Sequence, residues 1–223
     1  MITSHLLSIQ VGLPKTRGSD DAVDPMDEQW TSAIFKQPIA GQVWLGKENL
    51  VGDAQADRKN HGGPHRPVLA YAAAHYPLWQ AELGLSEIPY GGFGENFTID
   101  GLTEEAVCIG DTYTVGAVVV QVSQPRTPCW KIERRWRLPG LLQKVRDTGR
   151  TGWYLRVLTE GYVEAGQTVE LVERPYPDWN ITYVAHLLAN GEADPDAQAQ
   201  LAACEALTPD LRAYFRRRAR KKV

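Results

Sequence analysis

Hydrophobic and polar positions alternate most clearly over residues 112–125, TYTVGAVVVQVSQP, where two runs rich in β-branched residues meet at Val115, Gly116 and Ala117. Period-two alternation places successive side chains on opposite faces of a strand, and a glycine between two such runs marks a hairpin turn. HLLSIQVGL (5–13) predicts a further strand, and AIFKQPIAGQVWLG (33–46) predicts two around a Pro-Ile-Ala-Gly turn. NFTI, TGWYLRVLTEG and QTVELVERP predict three more. CIGDTYTV and EAGQTVEL each set a glycine and a polar residue ahead of an alternating strand. Short strands punctuated in this way suit a closed or partly closed barrel with its turns at the rim.

Helical patterns interrupt the strands. AAAHYPLWQAELG (72–84) is alanine-rich and stops at glycine, with Pro77 tolerable in a first turn, where amide hydrogens lack partners. LPGLLQKVRDTG (138–149) puts Leu141, Leu142 and Val145 on one face and again stops at glycine. Beyond Arg174 the texture changes. RPYPDWN reads as a linker, and three short helical segments follow. Two of them open on a capping residue and a proline, Asp194-Pro195 and Thr208-Pro209. A unit of about 45 residues buries too little surface to stand alone, so it is expected to pack on the body of the molecule. The organisation read from the pattern is a β-rich domain over residues 1–174 and a three-helix appendage over residues 175–223.

Composition changes this picture little. The 223 residues carry 43% hydrophobic and 23% charged positions, ordinary for a globular protein. A net charge of −3 gives no electrostatic case for nucleic acid or an anionic membrane. The three cysteines, Cys108, Cys129 and Cys204, show neither CxxC nor zinc spacing, which suits a reducing compartment. No apolar run approaches the roughly 18 residues of a membrane span, and the first residues lack the pattern of a signal peptide. A cytoplasmic location is the expectation.

Chemistry concentrates in a few segments. Pro125 and Pro128 end the strand before Cys129 and leave it on a loop, where reactive groups usually sit. Arg126, Lys131, Arg134 and Arg135 surround it in sequence, and positive charge favours the thiolate. A helix beginning at Trp130 would add to that field. A buried structural cysteine is the competing reading, and local chemistry leaves both open. DRKNHGGPHRPV (57–68) sets Arg58, Lys59, His61, His65 and Arg66 around Gly62 and Gly63. Consecutive glycines let backbone amides converge on an anion, and the basic side chains supply charge and bidentate contacts. Gly62, Gly63 and Pro64 argue against a helical histidine pair, so zinc is not expected. PYGGFGENFTIDGL (89–102) bends tightly at Gly91, Gly92 and Gly94 before Glu95 and Asn96, and by itself reads as a glycine-rich hairpin. Arg150, between a helix stop and a strand, could reach an anion from the rim or lie in solvent. The basic C-terminal helix, RAYFRRRARKKV, reads as a solvated face whose cations suit the negative end of the helix dipole.

Taken in order, HGG (61–63), GEN (94–96), QPRTPC (124–129) and TGRTGW (148–153) resemble the MOSC domain family, and its YiiM-like subgroup in particular. The resemblance implies a mainly β, α+β fold: a MOSC-type β-barrel with peripheral helices and a small C-terminal three-helix appendage. It implies binding of the molybdenum cofactor, molybdopterin, with Cys129 as the protein ligand to molybdenum and the catalytic residue. It also implies reduction of N-hydroxylated compounds such as hydroxylaminopurine-type bases. Arg58, Lys59, His61, Gly62, Gly63 and Arg66 are then expected to hold the cofactor's phosphate or pterin, with Asn96, Arg126 and Arg150 lining its pocket. The partners expected are a separate flavin- or iron–sulfur-type reductase and a small N-hydroxylated substrate, with a homodimer an open option. Two other readings stand beside this one. Cys129 could carry a persulfide for maturation of a metal–sulfur cofactor, or the chain could be a non-enzymatic binding module with a basic tail.

Overall fold

The computed structural model of the protein describes residues 3–57, 61–190 and 194–220. The first strand, β1 (Ser4–Val11), is followed by a small hairpin of β2 (Lys15–Arg17) and β3 (Trp30–Ser32). Next come β4 (Gln37–Pro38), β5 (Val43–Leu45) and β6 (Val68–Ala72). Helix α1 (His75–Leu83) leads to β7 (Phe97–Asp100), then β8 (Thr112–Val115) and β9 (Val118–Pro125). Helices α2 (Lys131–Trp136) and α3 (Leu141–Thr148) precede β10 (Trp153–Thr159), β11 (Gly161–Val163) and β12 (Thr168–Glu173). The chain continues into α4 (Ile181–Asn190), α5 (Pro195–Ala203) and α6 (Pro209–Ala219).

Seven strands close into a barrel in the order β12, β8, β9, β10, β6, β7, β1, because β1 pairs with β7 on one side and β12 on the other. Closure gives each of these seven strands a partner on both sides. The predicted hairpin is β8–β9: Val115 faces Val118, and Gly116 turns the chain at φ +58°, which glycine adopts without strain. The β6–β7 pair is the parallel one, and α1 is its crossover. Pro77 falls in the first turn of α1, and Gly84 ends that helix in the left-handed conformation.

The two strands read at 33–46 are β4 and β5; β4 pairs antiparallel with the end of β1, and β5 pairs with β11. One expectation is corrected. The segment read as a linker is tied down. Arg174 bridges both carboxylate oxygens of buried Asp111, at 2.8 and 2.6 Å, and Ile109 and Ile181 exchange backbone bonds with the facing segment.

Alternate residues Val118, Val120 and Val122 of β9 are buried with Leu6, Phe97 and Leu155 in one core. Ile181, Val184, Leu201 and Phe215 of the C-terminal helices belong to that same core, so the appendage and barrel share one hydrophobic interior. A second cluster, including Tyr71, Trp79, Phe93, Ile132 and Val145, lies under α1, α2 and α3. Among the described residues no helix is long and apolar enough to cross a membrane.

Candidate active site at the barrel rim

The end of β1, the starts of β6, β7 and β10, and the end of β9 converge at one rim. A pocket of about 640 Å³, with the open solvent at its mouth included, lies there. A second lobe, about 930 Å³ counted in the same way, adjoins it. Cys129, His61, Arg66, Lys131 and Tyr154 border both, so the half-buried thiol stands where the two lobes meet.

The chain reaches this arrangement through its prolines. Pro125 is the last residue of β9, facing Trp153, and Arg126 makes one further backbone bond to Gly152 before the chain leaves the sheet. Two residues later Pro128 offers no amide, and Cys129 follows directly, its carbonyl accepting from Ile132 at the start of α2. Helix α2, which follows directly, is only six residues long.

Of the four cations near Cys129 in sequence, two face the pocket. Arg126 is buried in its wall and Lys131 lines both lobes. Arg134 instead donates to the carbonyl and carboxylate of Glu28, at 2.9 and 3.0 Å, and lies over the Trp130 ring. Arg135 donates to the Ile34 carbonyl and lies over Phe35. These two clamp α2 to the chain on either side of β3, and neither lines the pocket.

His61 borders the pocket, but burial and the nearby Arg126 push its ring down to about 4, so it is neutral at pH 7 and adds no positive charge. Its Nδ1 lies 3.2 Å from the Tyr154 hydroxyl. Gly62 lines the first lobe at φ +91°, a backbone conformation that favours glycine. Gly63 borders neither lobe. Arg66 lines both and reaches Asp210 at 3.5 Å. Arg58 and Lys59 lie outside the described residues.

Asn96 occupies the wall, yet its amide is spent on the fold. Nδ2 donates to the Gln10 carbonyl at 3.1 Å and to Asp53 at 2.9 Å, while Oδ1 accepts from the Leu69 amide at 3.1 Å. It shapes the wall and leaves no donor for a ligand. Glu95, read in the same motif, accepts from the Gly91 amide, the Phe93 amide and the Tyr76 and Thr98 hydroxyls, locking the glycine-rich turn.

Arg150 is a correction. It pairs with Glu82 at 2.8 Å and lies 4.8 Å from the Trp79 ring centroid, away from both lobes. The neighbouring Gly152 is what serves the site. Its amide donates to Glu104 at 2.7 Å and its carbonyl accepts from the Arg126 amide at 3.0 Å. Glu104 is held from behind by His75 at 2.6 Å.

Sequence reading missed Lys36 and Asp53, a buried ion pair in the first lobe. Burial pushes the Lys36 ammonium below its usual range, against the pull of Asp53. Asp53 also accepts from the Gly12 amide at 2.8 Å. A lysine interrupting the apolar stretch AIFKQPI was the available signal, but its partner lies in a different loop.

The MOSC domain family matches residues 57–170, just over half of the chain. The chain belongs to the MOSC domain family. A YiiM-like 3-alpha helix domain matches residues 179–221. The uncharacterized protein YflK of Bacillus subtilis is 38% identical over 210 residues, covering 94% of this chain and 92% of that protein. The protein YiiM of Escherichia coli is 40% identical over 149 residues, 64% of this chain and 65% of its own length. A protein of Gibberella moniliformis named Reductase is 41% identical over 161 residues, 71% of this chain but only 28% of that longer protein. The crystal structure of YiiM from Geobacillus stearothermophilus superposes with a TM-score of 0.79 at 35% identity, covering 97% of this chain and 99% of that one.

MOSC domains are associated in general with the molybdenum cofactor. In this MOSC protein the donor set fits such a group. Among the described residues Cys129 is the one soft donor in the lining, so a metal there must bring most of its own ligands. Arg66, Arg126 and Lys131 provide positive charge for an anionic tail.

Proposed function

We propose that the protein is a molybdenum-cofactor oxidoreductase that reduces small N-hydroxylated compounds, such as hydroxylaminopurine-type bases, to the corresponding amines. Electrons come from a separate flavin- or iron–sulfur-type reductase. The main support is the position of the Cys129 thiol where two lobes join, with Arg66 and Lys131 lining both lobes and Arg126 lining the first. The name of the Gibberella relative, Reductase, favours a reductive role.

Cys129 would ligate the metal, and Arg66 and Arg126 would hold the pterin or its phosphate. Gly62 would let the backbone approach closely, and Asn96 would act through the wall it braces. When bound, the cofactor supplies the two-electron chemistry that removes oxygen from an N–OH group. Each turnover consumes two electrons and two protons and releases water. The chain's part is to orient both partners and to hold protons at the site. The Tyr154 hydroxyl and His61 Nδ1 share one at 3.2 Å, and the Lys131 ammonium borders both lobes.

The test uses protein made in a host that synthesises the cofactor. Wild type is expected to carry near-stoichiometric molybdenum and to reduce a hydroxylaminopurine when given a chemical electron donor. Cys129→Ser is expected to lose the metal and the activity together. A Cys129→Ser protein that keeps both would overturn the proposal.

A further inference from the structure

The two lobes differ in charge. Among the described residues, the first is lined by four cations, Lys36, Arg66, Arg126 and Lys131, against two carboxylates, Asp53 and Asp57. The second has two cations, Arg66 and Lys131, against two carboxylates, Asp57 and Asp210. A cationic excess suits an anionic ligand, whereas a balanced lobe gives no net attraction to one. The second lobe also offers apolar surface from Pro128, half-exposed Trp130 and Leu211, beside the polar side chains of Gln124 and Thr127. Flat apolar walls with a few polar groups are what a planar heterocycle buries well.

Asp210 and Leu211 come from α6, in the appendage. Their position is held firmly. Thr208, just before α6, spends its hydroxyl on a buried hydrogen bond to Gln124 Oε1 at 2.8 Å rather than on capping the helix. Arg156 of the barrel donates to the Ala206 carbonyl at 2.6 Å, and Phe215 is buried in the shared core. The Asp210 carboxylate itself stays 77% exposed and lies outside the shared core.

We propose that the second lobe is the substrate subsite and that Asp210 of the appendage makes it selective for an uncharged, planar nitrogen heterocycle over its phosphorylated forms. The proposal rests on the reductase reading for its substrate class. The carboxylate at the wall repels a phosphate chain and offsets Arg66, which would otherwise attract one. A free base or nucleoside meets no such penalty.

The experiment compares binding of a hydroxylaminopurine free base and of its nucleoside 5′-triphosphate to the full-length protein, with and without cofactor, by calorimetry. Wild type is expected to prefer the base. That preference should fall by about fivefold in Asp210→Asn and by a further similar factor in Asp210→Lys, as expected for one and two charge units near a solvated site. The same reversal at exposed Asp100, at the opposite end of β7, should leave it unchanged. An unchanged preference in both Asp210 variants, an equal change at Asp100, or a wild type that binds neither probe would overturn the assignment. The two readings fail separately. Selective binding without reduction removes the reductase and leaves the subsite. Reduction with unaltered KM and unaltered base preference in the Asp210 variants removes the subsite and leaves the reductase.

Discussion

His61 shows how a single residue changes meaning between sequence and structure. In sequence it is one of several basic groups around a glycine pair, yet folding takes its ring from 6.5 down to about 4 through burial and the charge of Arg126. The sign of the consequence follows. Between pH 6.5 and 4 the unfolded chain takes up a proton that the folded chain refuses, so stability is present above this window and is lost as pH falls through it. The cofactor-free protein should lose up to about 3 kcal/mol from this group, and His61→Gln should flatten that part of the profile. Urea denaturation at several pH values checks this, and equal slopes in wild type and His61→Gln would contradict it. Cys129 shows the reverse case. Its loop position was legible from Pro125 and Pro128, but the charges acting on it were not, because Arg134 and Arg135 turn to partners about 100 residues earlier.

Among the elements, the β9–β10 pair positions the loop that carries Cys129, and Gly152 is its pivot. Glycine is required there because φ is +81° and a Cβ would lie 2.5 Å from the Ala70 carbonyl oxygen. Gly152→Ala is expected to cost roughly 2 kcal/mol or more in chemical denaturation. Its carbonyl accepts from the Arg126 amide, so the variant should also weaken binding of a small anion such as pyrophosphate to the cofactor-free protein. A loss below about 0.5 kcal/mol, within the range of an ordinary surface change, would show that the strand edge relaxes freely. The TGRTGW motif is visible in sequence, where its arginine is the conspicuous residue. A charged side chain advertises chemistry, whereas a glycine's role depends on which backbone lies opposite, and Ala70 is remote in sequence.

For the whole molecule, the shared core of barrel and appendage makes a definite prediction. Ile181, Val184, Leu201 and Phe215 bury against barrel residues, so the C-terminal helices have no separate interior to keep them folded. Unfolding followed by far-UV circular dichroism and by tryptophan fluorescence should give one coincident transition, and two separated midpoints would contradict a single cooperative unit. The sequence by itself determined the strand alternation, the β8–β9 hairpin, the glycine stops of α1 and α3 and the proline-opened α5 and α6. Each of these depends on neighbours within one turn or one strand. Only the tertiary structure decided that Lys36 meets Asp53, that Arg150 belongs to Glu82, 68 residues away, and that Asp210 walls the lobe beside Cys129. Long charged side chains choose partners by distance in space, and barrel closure sets those distances by bringing strand ends from across the chain to one rim.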